Sequence, residues 1–382
     1  TDDLADSLGH EIAAYHDPAP RRDGNGASRI GAIVEELETA FADMKDTLGP
    51  ERVAEFSRRT RAAFDRAAPL LDSRAEDGHL RRAHGDLHLR NLVLIDGRPV
   101  LFDALEFDEE LGTCDVLYDL AFLVMDLLNR GLNRPANIVL NAWLYAQEGR
   151  QDAGLATLPV FLALRAGIRA MVTIQTGGGN AGQVRQEARG YVETALDALS
   201  SPKPRLIAVG GLSGTGKTTL ARRLAPMIGR RPGAVHLRSD LERKALAGVA
   251  PGDRLPADSY TEDTARAVHT RLTDRARYLL AAGQSVLLDA TFLSPDERHA
   301  AAQLADELEV SFTGLWLDAP VETLTRRVTA RQGDASDAGA AVVRRQTAKD
   351  TAPTDWARID ASNGVEEMEA AAADRLNIAQ KA

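Results

Sequence analysis

Apolar side chains recur at every third or fourth position through most of the first 200 residues. Ile30, Val34 and Phe41 lie on one such stripe, and this spacing is typical of an amphipathic helix with one buried face. Glycine and proline interrupt the pattern repeatedly, so we predict several helices rather than one. The clearest later helices are expected over 117–128, 136–146, 158–174 and 183–199.

The pattern changes after residue 204. Four short apolar runs alternate with helical segments, and this alternation predicts a parallel sheet with helices on both faces. The runs cover 206–209, 234–237, 285–288 and 311–317. Two serines and two prolines in 200–204 have the composition of a linker. We therefore predict a mainly α domain over 1–200, a linker over 201–204 and an α/β domain over 205–382.

Composition narrows the class of protein. A chain of 382 residues is too long for one ordinary core, which supports two domains. The single cysteine, Cys114, excludes an intramolecular disulfide framework and suits a reducing compartment. No signal-peptide pattern is visible, and Arg165 and Arg169 interrupt the most apolar stretch. We therefore expect a cytoplasmic protein without a membrane span.

Charge is divided unevenly between the two halves. Residues 1–200 carry a net charge of −11 and residues 201–382 a net charge of +1, which gives the total of −10. The acidic first half argues against non-specific nucleic-acid binding there. Lys45 is the only lysine among the first 200 residues, so that half is poor in a residue that commonly holds phosphates.

A glycine-rich segment follows the first apolar run of the second half. Gly211, four further residues and then Gly216, Lys217 and Thr218 have the spacing of a phosphate-binding P-loop. Glycines let backbone N–H groups approach a polyphosphate, the lysine supplies charge for the β- and γ-phosphates, and the threonine hydroxyl suits Mg²⁺. The residues expected to contact ATP are Gly211, Ser213, Gly214, Thr215, Gly216, Lys217, Thr218 and Thr219.

Further candidates follow the later strands, at the sheet edge where functional residues of parallel sheets collect. Asp240 could accept the proton of an attacking hydroxyl, or it could only cap the helix that begins there. Arg243 lies one turn further on and faces the same side. Asp289 ends the third strand in the manner of a Walker B carboxylate, which orders the water around Mg²⁺.

Two arginines after the fourth strand share a helical face. Arg327 and Arg331 are four residues apart, and a run of small residues follows them. They could form a lid that brings guanidinium groups over the transferring phosphate, and Arg327 would then contact the nucleotide. The alternative is a solvated basic face of a helix.

The second half resembles the small P-loop kinases that act on hydroxyl groups. The resemblance lies in the order of its features: a strand, the P-loop, the Ser-Asp-x-x-Arg segment, the Walker B aspartate and the arginine pair. Gluconate kinase, chloramphenicol phosphotransferase, the zeta toxins and the kinase domain of polynucleotide kinase are similar in plan. The resemblance implies transfer of a γ-phosphate to an alcohol. It also implies that Asp240 is the base, that Arg243 contacts the acceptor and that Arg331 clamps the phosphate.

The first half contains a second group of polar residues. A His-Gly-Asp run ends at Asp86 and precedes Asn91, and two apolar runs then flank an Asp-Gly turn, which predicts a β-hairpin. A hairpin brings its ends together, so Asp86, Asn91 and Asp103 should converge. One carboxylate could accept a hydroxyl proton, while the amide and the second carboxylate bind Mg²⁺.

These residues resemble the catalytic segment of the aminoglycoside phosphotransferases, whose fold is similar to the protein kinases. The resemblance implies that Asp86 is a catalytic base and that Asn91 and Asp103 bind magnesium. The chain departs from that family upstream, because the first 83 residues read as helices without a strand lobe or glycine-rich loop, and Lys45 lies among them. Either an upstream lobe is missing from this chain, or this half is not a working kinase.

The whole chain resembles bacterial proteins that fuse these two kinds of domain. We expect an ATP- and Mg²⁺-dependent phosphotransferase that acts on a hydroxyl of a small molecule through its second domain. The first domain would bind substrate or be a degenerate kinase-like module. One alternative is a polynucleotide 5′-hydroxyl kinase, which the net charge of −10 disfavours. The other is a binding switch that only hydrolyses ATP.

Overall fold

The computed structural model of the chain describes residues 1–105, 108–178, 180–256, 259–330, 336, 339–348, 352–353 and 355–378. The chain divides into two compact units, Thr1–Ser201 and Pro202–Ala382. The first unit is mainly helical, and the second is built on a parallel sheet. The predicted fold class is therefore confirmed.

Helices make up most of the first unit, and two short antiparallel strand pairs accompany them. The helices are α1 (Asp2–His16), α2 (Gly26–Asp43), α3 (Lys45–Leu48), α4 (Pro50–Glu76), α5 (Val116–Asn129), α6 (Asn133–Ala146), α7 (Leu158–Thr176) and α8 (Ala181–Ala198). Strand β1 (Leu80–Arg82) pairs with β4 (Thr113–Asp115), and β2 (Leu92–Ile95) pairs with β3 (Arg98–Leu101). The first of these pairs was not predicted.

The core of the first unit is formed largely by α5 and α7. Helix α5 is buried at every position from Val116 to Leu127, as expected for a helix that is apolar on all sides. In the described part of the chain one helix, Ala153–Thr176, is long and apolar enough to cross a membrane, but 78% of its most apolar window is buried in the protein. Core helices pass the same test of length and composition, so the feature is weak evidence for a membrane span.

The hairpin of the first unit forms as predicted. Leu92 is opposite Leu101 and Ile95 is opposite Arg98. The two turn residues, Asp96 and Gly97, have φ angles of +50° and +77°. A two-residue turn with positive φ at both positions matches the twist of antiparallel strands.

The second unit contains a five-stranded sheet in the order β6-β7-β5-β8-β9, with all neighbours parallel. Its strands are β5 (Arg205–Gly211), β6 (Val235–Arg238), β7 (Val286–Asp289), β8 (Ser311–Asp318) and β9 (Ala357–Asp360). Its helices are α9 (Lys217–Leu224), α10 (Ser239–Leu246), α11 (Glu262–Ala281), α12 (Pro295–Glu307), α13 (Val321–Ala330), α14 (Ala340–Thr347) and α15 (Val365–Arg375). Four of the strands were predicted, and β9 was not.

Glycine allows close packing on the central strands of this sheet. A Cβ atom at Gly314 would lie 2.2 Å from the ring of Trp356, and one at Gly210 would lie 2.9 Å from the same ring. The indole therefore lies directly on the backbone of β8 and β5. Pairing of β5 and β6 with β7 places Val209 and Arg238 opposite Asp289, so three strand ends meet at one edge.

Candidate active site

The P-loop lies at the carboxyl end of β5, the central strand of the sheet. Gly211, Gly214 and Gly216 have φ angles of +138°, +90° and +91°, a backbone region that favours glycine. At Gly214 a Cβ atom would also lie 2.8 Å from the carbonyl oxygen of Leu324. The loop continues into α9, whose N-terminus has no side-chain cap. Uncapped N–H groups at a helix N-terminus bind phosphate readily.

Side chains hold the loop in shape. Lys217 Nζ donates hydrogen bonds to the carbonyl oxygens of Gly211 and Leu212, both at 3.0 Å. Thr215 Oγ1 donates to the Leu212 carbonyl oxygen at 2.8 Å. The Ser213 N–H donates to Gln346 Oε1 of α14 at 2.9 Å. The lysine ammonium is thus held against the loop to which phosphates are expected to bind.

Two predicted magnesium ligands meet at the carboxyl ends of β5 and β7. Thr218 Oγ1 donates to Asp289 Oδ2 at 2.6 Å, and His236 Nε2 lies 3.2 Å from the same oxygen. Among the described residues, no group of three or more His, Cys, Asp or Glu side chains could hold a metal alone. Mg²⁺ usually needs only one or two protein oxygens beside water and substrate phosphate. The hydroxyl of Thr218 and the carboxylate of Asp289 fit that requirement.

Asp289 keeps its charge although its side chain is buried. Burial by itself raises the pKa of Asp289, but the hydrogen bond from His236 and the nearby charges, among them Arg238 and Lys217, bring the pKa down to about 2. Burial lowers the pKa of His236 itself, so its hydrogen bond is the more secure of its contributions. The carboxylate is therefore ionised at neutral pH. An ionised oxygen ligand is what a hard cation such as Mg²⁺ prefers.

Asp240 lies in the first turn of α10, and the N-cap position of that helix belongs to Arg238. Asp240 therefore does not occupy the capping position that the sequence allowed. Burial, followed by the negative charge of Asp289, raises the pKa of Asp240, while the charges of Arg238 and Lys217 oppose the change. The carboxylate is thus within electrostatic range of the P-loop lysine and of Asp289.

Arg243 lies beyond Asp240 on the same helix. Its guanidinium lies over the ring of Tyr260, 5.3 Å from the ring centroid, and its buried Nε has no hydrogen-bond partner among the described residues. Burial raises the pKa of Glu297, and the charges of Arg298 and Arg243 oppose that rise. A buried donor that lacks a partner costs free energy, so Arg243 offers a hydrogen bond that a bound molecule could accept.

The remaining predicted residues of this unit have different surroundings. Arg327 donates from its guanidinium to the carbonyl oxygen of Ala361 at 2.8 Å, immediately after β9. Arg331 lies outside the described residues, so the arginine lid stays a prediction. Thr219 is exposed in the first turn of α9.

His236 and Gln346 were not among the predicted site residues. Arg238 follows His236 by two positions on β6, so both side chains lie on one face of the strand. They lie 3.2 and 4.0 Å from Asp289 Oδ2. Two polar residues at alternate positions of an apolar strand were a usable signal for this pair. Gln346 gave none, because only the fold sets the distance between α14 and the loop.

In the first unit the structure brings Asp86 and Asn91 together. Asn91 Nδ2 donates to Asp86 Oδ2 at 3.0 Å, and His88 Nε2 lies 3.4 Å from that oxygen. The hydrogen bond from His88 is the main cause that lowers the pKa of Asp86, against the effect of burial. Asp103 follows Phe102, whose N–H donates to the Asn91 carbonyl oxygen at 3.1 Å. The hairpin therefore holds the backbone of Asp103 beside Asn91.

Carboxylates of α5 hold the loop that carries Asp86. Asp119 is fully buried and accepts the N–H groups of His84 and Gly85 at 3.2 and 2.8 Å. Asp126 accepts the N–H of Leu89 at 3.1 Å. These contacts orient the loop backbone, and they give both aspartates a structural role.

The parallel sheet, the glycine-rich loop and the Thr218–Asp289 pair define the second unit as a P-loop nucleotide-binding domain. A protein-family model described as an AAA domain matches residues 206–353. A shikimate kinase of Zymomonas mobilis is 30% identical over 141 residues, which cover 36% of this chain and 70% of that enzyme. Through this unit the chain belongs to the P-loop kinases.

Other similarities cover different parts of the chain. An uncharacterised protein of Mycobacterium tuberculosis is 29% identical over 359 residues, which cover 92% of this chain and 70% of that protein. This match includes both units. A solved sugar kinase of Janibacter is 24% identical, with a TM-score of 0.35, and the match covers 46% of this chain and 96% of that one.

Proposed function

We propose that the chain is an ATP- and Mg²⁺-dependent phosphotransferase that moves the γ-phosphate to a hydroxyl of a small molecule. The observation that carries the proposal is Asp240. Its carboxylate is close enough to Lys217 and Asp289 for their charges to change its pKa, and burial raises that pKa. A carboxylate beside the γ-phosphate can accept a hydroxyl proton, whereas nucleotide binding alone does not need one there.

The other residues of the site have complementary roles in this proposal. The P-loop N–H groups and the Lys217 ammonium bind the β- and γ-phosphates. Thr218 and Asp289 hold the Mg²⁺, which neutralises charge on the phosphates when it is bound. Arg243 donates a hydrogen bond to the acceptor molecule. The relative from Zymomonas is named for a small-molecule substrate, which supports a small acceptor over an oligonucleotide end.

We further propose that the first unit is an aminoglycoside phosphotransferase-like module that binds a ligand. The Asp86–Asn91 contact and the adjoining hairpin support the likeness. Kinase-type transfer also requires a lysine that holds the nucleotide phosphates. The lysine of this part of the chain, Lys45, is exposed on the short helix α3, so we assign nucleotide binding to Lys217 of the second unit.

A screen of hydroxyl compounds tests the reaction. Sugars, aminoglycosides, nucleosides and oligonucleotide 5′ ends are offered to the full chain with Mg-ATP, and acceleration of ADP release identifies the acceptor. Asp240→Asn should lower the accelerated rate by roughly 100- to 10,000-fold, the usual contribution of a general base, while ATP binding stays unchanged. Asp374→Asn, at an exposed position of α15, is the matched control.

The same variant separates a kinase from a switch that only hydrolyses ATP. If turnover is unchanged in Asp240→Asn, the carboxylate is not the base, and the observation on which the kinase proposal rests is lost. In the wild-type protein the base must be ionised to act, so its raised pKa predicts that kcat/KM falls on the acid side at a higher pH than an ordinary aspartate would give. Activity that stays level down to the ordinary aspartate pKa contradicts this role.

A further inference from the structure

A large cavity lies within the first unit, separate from the P-loop. Its volume is about 720 Å³, which is enough for a molecule of the size of a cofactor or drug. The side chains that line it are mostly apolar, and they include Ile30, Ile33, Leu71, Leu80, Ile168 and Met171. A cavity with such walls binds the apolar part of a ligand.

One buried charge in the wall forms no ion pair with any described residue. Arg165 of α7 is 7% exposed, and its guanidinium lies 3.8 Å from the ring centroid of Tyr118 and 4.7 Å from that of Phe122. Its Nε donates to the Tyr118 carbonyl oxygen at 3.3 Å. Among the described residues no carboxylate forms an ion pair with it. A guanidinium has five N–H donors, and a buried charge is normally paired.

Several carboxylates of the same wall already have partners. Asp115 forms two hydrogen bonds with Arg74, both at 2.7 Å. Asp86 accepts from Asn91 at 3.0 Å, and Asp108 accepts the N–H groups of the turn that follows it. Glu36 and Glu110, which also line the cavity, are exposed to solvent. Asp86 and the buried Asp119 are within electrostatic range of Arg165, but among the described residues no hydrogen bond or ion pair joins it to either carboxylate. Its remaining N–H donors can therefore bind an anionic group of a ligand.

We propose that this cavity binds an amphipathic organic anion, with its apolar body between α2 and α7 and its carboxylate, sulfonate or phosphate group on Arg165. Hydrogen bonds from a buried guanidinium to an anion are strong, because both partners are charged. The guanidinium lies over the ring of Tyr118, and the buried hydroxyl of that tyrosine has no hydrogen-bond partner in the part of the chain that the structure describes. The first unit would then bind organic anions, whatever reaction takes place at the P-loop.

Two fluorescent probes of nearly equal shape test the proposal on the full chain. 8-Anilinonaphthalene-1-sulfonate carries the anion, and N-phenyl-1-naphthylamine is its neutral counterpart. Arg165→Met should raise the Kd of the anionic probe roughly 10- to 100-fold, the value of a hydrogen bond to a charged group. The Kd of the neutral probe should not change, and this shows that the cavity still forms. Arg165→Lys should retain part of the preference for the anion.

Two further variants locate the binding. Ile168→Trp fills the cavity and should weaken both probes, whereas Arg185→Met removes an exposed arginine of α8 and should weaken neither. Anionic probe bound at the P-loop is recognised because ATP displaces it and Arg165→Met does not. The proposal is overturned if Arg165→Met weakens the binding of both probes equally, or if it weakens the binding of neither. It is also overturned if kanamycin, a polycation, displaces the anionic probe.

Discussion

The side chain of Lys217 folds back onto the loop from which it comes. Its ammonium is held by the carbonyl oxygens of Gly211 and Leu212, so it is ordered before any phosphate is present. Because the side chain is already ordered, less conformational entropy is lost when a phosphate binds. Asp289 shows the same principle, because its neighbours keep it ionised in a buried position.

Replacement of Lys217 tests whether the loop binds a nucleotide. Lys217→Ala removes the ammonium, and loss of a hydrogen bond to a charged group should raise the Kd for Mg-ATP about 10- to 100-fold. Lys45→Ala, which removes an exposed lysine of the first unit, should leave the affinity unchanged. Isothermal titration calorimetry measures both values. Normal ATP affinity in Lys217→Ala would mean that the P-loop is misassigned.

The segment from β5 through the loop to α9 is the element on which this site depends. Its first glycine ends a strand paired on both sides, with β7 and with β8. Its last glycine precedes an uncapped helix. Because both ends are fixed by the core, the loop conformation depends on which residues can adopt positive φ.

Alanine substitution at two glycines of the loop should have unequal effects. Gly214→Ala and Gly216→Ala both place a side chain at positive φ, which costs about 1–2 kcal/mol. A Cβ at Gly214 also lies 2.8 Å from Leu324 O, whereas at Gly216 the nearest atom is 3.5 Å away, on the flexible Met368. Overpacking should therefore add about 1–3 kcal/mol at Gly214 alone.

Hydrogen–deuterium exchange of peptides from residues 205–224 measures this difference within the full chain. Faster exchange in Gly214→Ala than in Gly216→Ala is the expected order. Equal exchange in the two variants would show that the loop is not packed against α13 as described.

Local patterns predicted most of these elements, and the exceptions have a physical cause. The hairpin at Asp96–Gly97 and four strands of the large sheet are confirmed. Strand β9 was missed because it has four residues, and only Ile359 among them is buried. Strands β1 and β4 have three residues each, and they pair across some thirty positions of sequence. Short strands are defined by their partners and carry little pattern of their own.

The molecule as a whole consists of two units with different chemistry. The first has the acidic composition, the Asp86 loop and a large apolar cavity. The second has the P-loop and the Asp240–Asp289 pair. The division lies between Ser201 and Pro202, next to prolines that do not continue a helix.

Mg-ATP should therefore protect one unit and not the other. At about 100 times its Kd, a ligand stabilises the folded state by about 2.7 kcal/mol. Hydrogen–deuterium exchange of the full chain should slow in the second unit, most strongly around Gly211–Thr218, and should remain unchanged in Thr1–Ser201. Protection centred on Asp86 and Asn91 instead would assign nucleotide binding to the first unit and contradict the proposal.

The sequence by itself determined the helical first half, the alternating second half and the P-loop, because each depends on residues that are near one another along the chain. Glycine spacing and apolar periodicity are local properties, so both can be recognised in the sequence without knowledge of the fold. They also predicted Thr218 and Asp289 as parts of one site.

Only the tertiary structure decided what those residues contact. Thr218 and Asp289 are 71 positions apart, and their hydrogen bond exists because β5 and β7 are neighbours. The same holds for the contact of Gln346 with the loop, for that of Arg327 with Ala361 and for the position of Arg165 in the cavity wall. Such contacts depend on the packing of distant elements, and no local pattern encodes the distance between two side chains.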